Sequence, residues 1–297
     1  MKKTVVYSLL FGTMLLGATV PAEAATVVFD SEQSIVFTPS TDGTDPVNPE
    51  NPDPEKPVRP VDPTNPDGPK PGTPGPLSID YASSLDFGSN EISNKDQTYF
   101  ARAQTYKNPD GSASELATAN YVQVSDLRGT NAGWVLKVKQ NGQFRNAETL
   151  HKELTGATVA FTEPSVRSNA TDVLPPTATA NIQLDAAGAE TVVMQAPEKT
   201  GAGTWITLWG QAEKVTEKNQ QGQQVNATIT RAISLTVPGK TPKDAVQYKT
   251  TLTWLLSDVP VKWREINEKD KSNDIDGNHN FRRTGTCTNE CISSRRW

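Results

Sequence analysis

Tyr248-Lys-Thr-Thr-Leu-Thr-Trp-Leu-Leu-Ser-Asp-Val-Pro260 is the stretch on which the fold turns, together with an earlier echo, Gly133-Trp-Val-Leu-Lys-Val138. Side chains alternate between the two faces of a strand, so Trp254 and Leu256 point the same way, as do Trp134 and Leu136. In the longer copy, Tyr248, Thr250, Leu252, Trp254 and Leu256 share one face, while Lys249, Thr251 and Thr253 take the other. This alternation predicts a half-buried strand that stops at Pro260.

Outward from these two stretches the chain keeps the same pattern of short β-like runs. Strands are predicted at Leu77 to Tyr81, Leu85 to Phe87, Thr98 to Ala103, Tyr121 to Leu127 and Trp134 to Lys139. More follow at Ala157 to Thr162, Thr179 to Leu184, Thr191 to Gln195, Trp205 to Trp209, Thr228 to Val237 and Gln247 to Leu256. Turn signals such as Asn108-Pro-Asp-Gly111, Asn141-Gly142 and Gln221-Gly-Gln223 punctuate them. Many short strands without a long helical period imply an all-β domain over residues 77–260, an antiparallel β-sandwich or a barrel-like closure. Only Asn146 to Leu154 reads as a short helix. In Trp205-Ile-Thr-Leu-Trp209 both faces are apolar, Trp205 and Trp209 on one and Ile206 and Leu208 on the other, which suits an interior strand. Ile229, Ile233, Leu235 and Val237 share one parity, as in a strand lining a core with Arg231 at its rim.

The N-terminus addresses the compartment. Lys2 and Lys3 precede an almost wholly apolar run from Val5 to Val20, and Ala22-Glu-Ala24 is a small-x-small cleavage signal. Residues 1–24 therefore read as a secretory signal peptide, too short in its apolar run for a membrane span, so no span is expected after cleavage. Residues 25–38 carry two strand-like pieces, Ala25-Thr-Val-Val-Phe-Asp30 and Ser34-Ile-Val-Phe37, an edge strand or a short ordered arm. Residues 39–76 hold 13 of the 22 prolines, set among Asp, Asn, Glu and Gly as in Asp53-Pro-Glu-Lys-Pro57. With few apolar residues to bury, this segment is expected to be extended, a linker reaching on the order of 100 Å or else a surface loop.

Trp-x-Leu twice, the second copy within Leu252-Thr-Trp-x-Leu-x-Asp258 near the end of a β-patterned region, carries a resemblance. The region 77–260, with the export signal and Asp/Pro-rich segment before it and Gly201-Ala-Gly-Thr-Trp-Ile-Thr-Leu208 between the motifs, resembles the WxL domain of Gram-positive surface proteins. The resemblance implies an extracellular protein at the cell wall, held non-covalently to peptidoglycan or an associated wall polymer. Trp134, Leu136, Trp254 and Leu256 are its motif-defining residues and the candidate wall-binding ones. Other surface proteins of the same complex are plausible partners, and an adhesin gripping host matrix proteins is the alternative. A wall hydrolase is a third reading. Residues 261–297, polar and with isolated Trp263, Ile266, Ile275 and Phe281, depart from the family pattern and are expected to be a disordered tail.

Catalytic and metal chemistry find little support. The net charge of −5, with both signs interspersed, does not suit nucleic-acid binding. His279, Cys287 and Cys291 offer three ligands where a zinc site takes four, and a local disulfide or two free thiols is the simpler reading. Ser272-Asn-Asp-Ile-Asp-Gly277 begins like a calcium loop, but the closing acid falls on Arg283. His151, between Glu148, Lys152 and Glu153, has no orienting partner or nucleophile nearby in sequence. No cofactor, metal or catalytic residue is therefore expected. A covalently sorted wall protein would carry Leu-Pro-x-Thr-Gly, an apolar stretch and a basic end, of which Arg295 and Arg296 imitate only the last. For the tryptophans two roles stay open together: core residues of a β domain, or aromatic surfaces for sugars.

Overall fold

The computed structural model describes residues 26–108, 110, 116–218 and 222–258. The tail cluster and the calcium-like loop lie outside them. The chain divides into two compact units, one ending at Phe37 and one from Thr38 onward. In the first, residues 26–37 form no strand and present Val27, Phe29, Val36 and Phe37 to solvent, so the strand-like pieces there are not strands.

The second unit is all-β and antiparallel, as expected. Its strands are β1 Arg59–Val61, β2 Leu77–Ala82, β3 Gln97–Arg102, β4 Gln104–Lys107, β5 Leu116–Thr118, β6 Tyr121–Asp126, β7 Trp134–Gln140 and β8 Thr158–Phe161. They continue as β9 Pro164–Arg167, β10 Thr177–Ala178, β11 Ile182–Gln183, β12 Thr191–Ala196, β13 Gly203–Trp209, β14 Ala212–Lys218, β15 Gln224–Val237 and β16 Leu252–Ser257. Among the described residues four sheets result, ordered β1-β4-β5, β10-β12-β7-β16, β11-β8-β15-β14 with β3 added to β15, and β2-β6-β13-β9.

The last three sheets share one core. Val122 and Val124 of β6, Leu136 and Val138 of β7, Phe161 of β8, Met194 of β12, and Ile233 and Leu235 of β15 meet in it. β13 lies between two apolar layers as its pattern requires. Trp205 and Trp209 enter the main core, while Ile206 and Leu208 join a smaller cluster with Val47, Tyr81 and Tyr121. A strand buried on both faces cannot be shifted by one residue without exchanging its two layers.

Three expectations are corrected. Within 39–76, Val47 and Val58 are buried, and β1 pairs β4 from Arg59↔Lys107 to Val61↔Thr105. The Gln123 side chain grips this segment, a proline-rich strap over residues 39–76, by accepting from the Val47 N–H at 2.9 Å and donating to the Asp45 carbonyl at 3.0 Å. Two isolated valines suffice because fixed proline φ angles lower the entropy lost on docking, so little apolar area is needed to hold the strap.

No helix forms at 146–154. The Asn146 side chain accepts from the Glu148 N–H at 2.9 Å, and Arg145 bridges Glu153, closing a tight loop instead. This segment has no apolar helical period to bury, and its asparagine competes for backbone donors.

On β15 Ile229, Ile233, Leu235 and Val237 are all buried as expected, but their parity is not unbroken, because the register with β3 shifts between Thr230 and Ser234. A bulge inserts residues on one strand and turns those beyond it to the other face. Ala232 and Ile233 are thus both buried, and Arg231 is turned outward.

Under the strap sits Asp80, almost fully buried. Its carboxylate accepts from Gln123 Nε2 at 2.8 Å, Ser125 Oγ at 2.6 Å and Ser78 Oγ. Burial raises its pKa above the ordinary carboxylate value, and the three donors offset only part of that rise.

Candidate functional site

The two Trp-x-Leu stretches are hydrogen-bonded neighbours. β16 runs antiparallel to β7 with Leu256 opposite Leu136 and Trp254 opposite Val138. Trp134, Leu136 and Val138 therefore share a sheet face with Leu252, Trp254 and Leu256, and that face is turned to the core. On the other side of β7, β12 places Met194 opposite Leu136 and Ala196 opposite Trp134.

The two tryptophans differ in setting. Trp134 is 0% exposed, and its indole N–H donates to the Gly201 carbonyl at 2.9 Å. Trp205, three residues beyond Ala202, donates to the Ala202 carbonyl at the same distance. The Gly201-Ala-Gly loop thus answers two buried indoles, which is why a glycine-rich turn lies between the motifs. Trp254 is half-buried on β16, with its ring centroid 6.3 Å from that of Trp209, which in turn is 4.9 Å from Phe161. Phe161, Trp209 and Trp254 belong to three different sheets, so this row of rings ties the sheets together.

The motif ends are stapled as well. Arg128 donates to both carboxylate oxygens of Asp126, at 2.9 and 2.8 Å, and to the Gly133 carbonyl at 2.8 Å, fixing the turn that launches Trp134. Its guanidinium is held above its ordinary pKa first by the Asp126 hydrogen bonds, with a further contribution from the charge of Asp258. The aspartate closing the second motif thus supports the arginine that orients the first. Of the four motif residues, Trp134 and Leu136 are sealed from solvent and Trp254 and Leu256 are partly covered.

His151 does have an orienting partner, 93 residues away. Asp244 accepts from the His151 backbone N–H and pairs with its Nδ1, each at 2.8 Å, and also binds the Thr149 hydroxyl. The Tyr248 hydroxyl donates to the His151 carbonyl at 2.7 Å. The Thr149 and Tyr248 hydroxyls thus join the His151–Asp244 pair in fastening loops. The pair anchors the chain just before β16. No cluster among the described residues has the composition to hold a metal ion. No helix among them is long and apolar enough to cross a membrane.

The two aspartates predict opposite pH responses. Asp244 is held far below the ordinary carboxylate range, first by Thr149 and then by His151, so its contribution is present above its unfolded pKa and lost on acidification. Asp80 is raised, so its contribution is full below its unfolded pKa and lost as pH rises through the folded value. Denaturant midpoints measured from about pH 3 to about pH 7 should show Asp80→Asn flattening the decline towards neutrality and Asp244→Asn flattening the decline towards acid. Parallel curves for both variants and the wild type would contradict these assignments.

Antiparallel sheets closed over buried indoles make the chain an all-β domain. Its sequence matches the family model described as "WxL domain surface cell wall-binding" over residues 24–260, and the chain belongs to that family. The family is one of cell-surface binding domains and places the protein outside the cell, at the wall. The matched region starts well before Leu77, taking in the strap that the fold docks on β6. Neither the curated proteins nor the solved structures contain a match.

Proposed function

We propose that the protein stays at the Gram-positive surface by binding peptidoglycan without a covalent bond, and that it performs no catalysis. The family match across residues 24–260 carries this reading. The structure supports it from the side of rigidity, because the Trp-x-Leu strands, the Gly201 loop and the Arg128 staple preorganise a sheet scaffold. Preorganisation lowers the ordering cost of holding a polymer. The motif residues act here as braces.

The test uses residues 25–297 rather than a fragment starting at Leu77, since that cut would strip Val47 from its cluster. Purified protein mixed with isolated walls should sediment with them, resist a salt wash and come off intact in denaturant. Protein left in the supernatant would favour an adhesin or a subunit of a surface complex. Soluble wall fragments released during incubation would mark a hydrolase.

A further inference from the structure

The bulge that turns Arg231 outward also builds a groove. The outward side of the β3–β15–β14 sheet carries a depression of about 240 Å³. Phe100 supplies aromatic carbon, with Phe87 also lining the groove, and Arg102, Glu217 and Arg231 supply its polar groups. Arg102 donates through Nη1 and Nη2 to the two oxygens of Glu217. Arg231 donates through Nε and Nη2 to the two oxygens of Glu213, at 2.6 and 3.1 Å. The Arg231 guanidinium carbon also stands 5.1 Å from the centre of the Phe100 ring, so its position is held from two sides.

The chemistry of this surface is specific. Each guanidinium has five N–H donors and spends two on its glutamate, so each fork still offers donors while its partner offers carboxylate acceptors. Because the charges are paired, the groove has little net attraction for an anionic chain. Fixed planar donors and acceptors beside aromatic carbon match the vicinal hydroxyls and apolar ring faces of uncharged sugars. Resting on the wall-binding reading above, we propose that this groove takes the sugar backbone of the wall glycan.

Two variants test it: Phe100→Ala, and the double change Glu213→Ala with Arg231→Ala, which removes an exposed fork and leaves the net charge unchanged. Each is assayed on purified walls before and after chemical removal of phosphate-bearing polymers, with thermal midpoints as the folding control. The expected result is wild-type binding that survives polymer removal and high salt, and at least roughly tenfold weaker binding by the double variant at an unchanged midpoint. If the wild type binds and both variants bind equally well, the groove is an ordinary solvated sheet face and the proposal is overturned. Wild-type binding that needs the phosphate polymer and fades with salt overturns it in favour of an anionic ligand. A wild type that binds no wall at all removes the functional reading itself, a distinct outcome from either of these. Should Phe100→Ala lower the midpoint, the double variant alone decides, since both its side chains are about half exposed.

Discussion

Trp134→Ala is expected to destabilise the domain more than any other motif substitution, by about 4–6 kcal/mol. Removing a fully buried indole costs ~3–5 kcal/mol through lost burial and the cavity left behind. The Gly201 carbonyl, at 2.9 Å from the indole nitrogen, then loses its donor in a buried setting, adding about 1 kcal/mol. Domains of this size are stable by only ~5–15 kcal/mol, so the substitution removes a large part of the stability margin and should lower the thermal midpoint markedly. Trp254→Ala removes a half-buried ring from an edge strand and should cost clearly less. Urea denaturation of wild type, Trp134→Ala, Trp134→Phe and Trp254→Ala checks the order, with Trp134→Phe keeping the ring packing and losing the hydrogen bond. Wall retention should follow the folded fraction in every case. A Trp134→Ala protein that stays fully folded yet releases from walls would make the residue a ligand contact and refute the bracing role.

The parts of this fold legible in the sequence are those with strong alternation. β7, β13 and β16 announce themselves through tryptophan and leucine spacing, and the two-faced burial of β13 follows directly from Trp205-Ile-Thr-Leu-Trp209. β14 was missed because Ala212-Glu-Lys-Val-Thr-Glu-Lys218 has almost no apolar face; it exists because β15 pairs it along its whole length. The strap escaped notice for a related reason. Val47 and Val58 are isolated apolar residues in a proline-rich stretch, and Val47 is held by the Gln123 side chain 76 residues away. Long-range partners likewise hid the Asp244 and His151 pair and the acceptor of the Trp134 indole. The groove was out of reach altogether, since no local pattern announces the bulge that sends Arg231 and Phe100 to the same place. Sequence periodicity thus gives faces and strands, while the side chains that lock strands to one another come from pairs without local signature.

Gly133→Ala provides the sharpest check on how tightly the first motif is seated. Gly133 has φ +79, a left-handed conformation that costs an L-residue about 1–2 kcal/mol. A Cβ there would also meet the Ala196 carbonyl oxygen and lie 2.7 Å from the Pro197 carbonyl carbon, both backbone atoms of the segment that leaves β12. Backbone cannot swing aside as a flexible side chain can, so overpacking adds ~1–3 kcal/mol, for a total of roughly 2–5 kcal/mol. Gly142 isolates the second contribution: its φ is +87 and no atom lies within 4 Å of where a Cβ would be. Gly142→Ala should therefore lose only the conformational part, about 1–2 kcal/mol. Chemical denaturation of the two variants measures the difference directly, and it reports the cost of pushing β12 away from the turn before Trp134. Because the same turn is gripped by Arg128 through the Gly133 carbonyl, displacing it should also loosen the Asp126 fork. Adding Arg128→Ala to Gly133→Ala should consequently cost less than the sum of the two single changes, as expected for residues acting on one structural unit. Equal losses at Gly133 and Gly142 would mean that the turn has room to spare and that the tryptophan strand is not held by the backbone behind it.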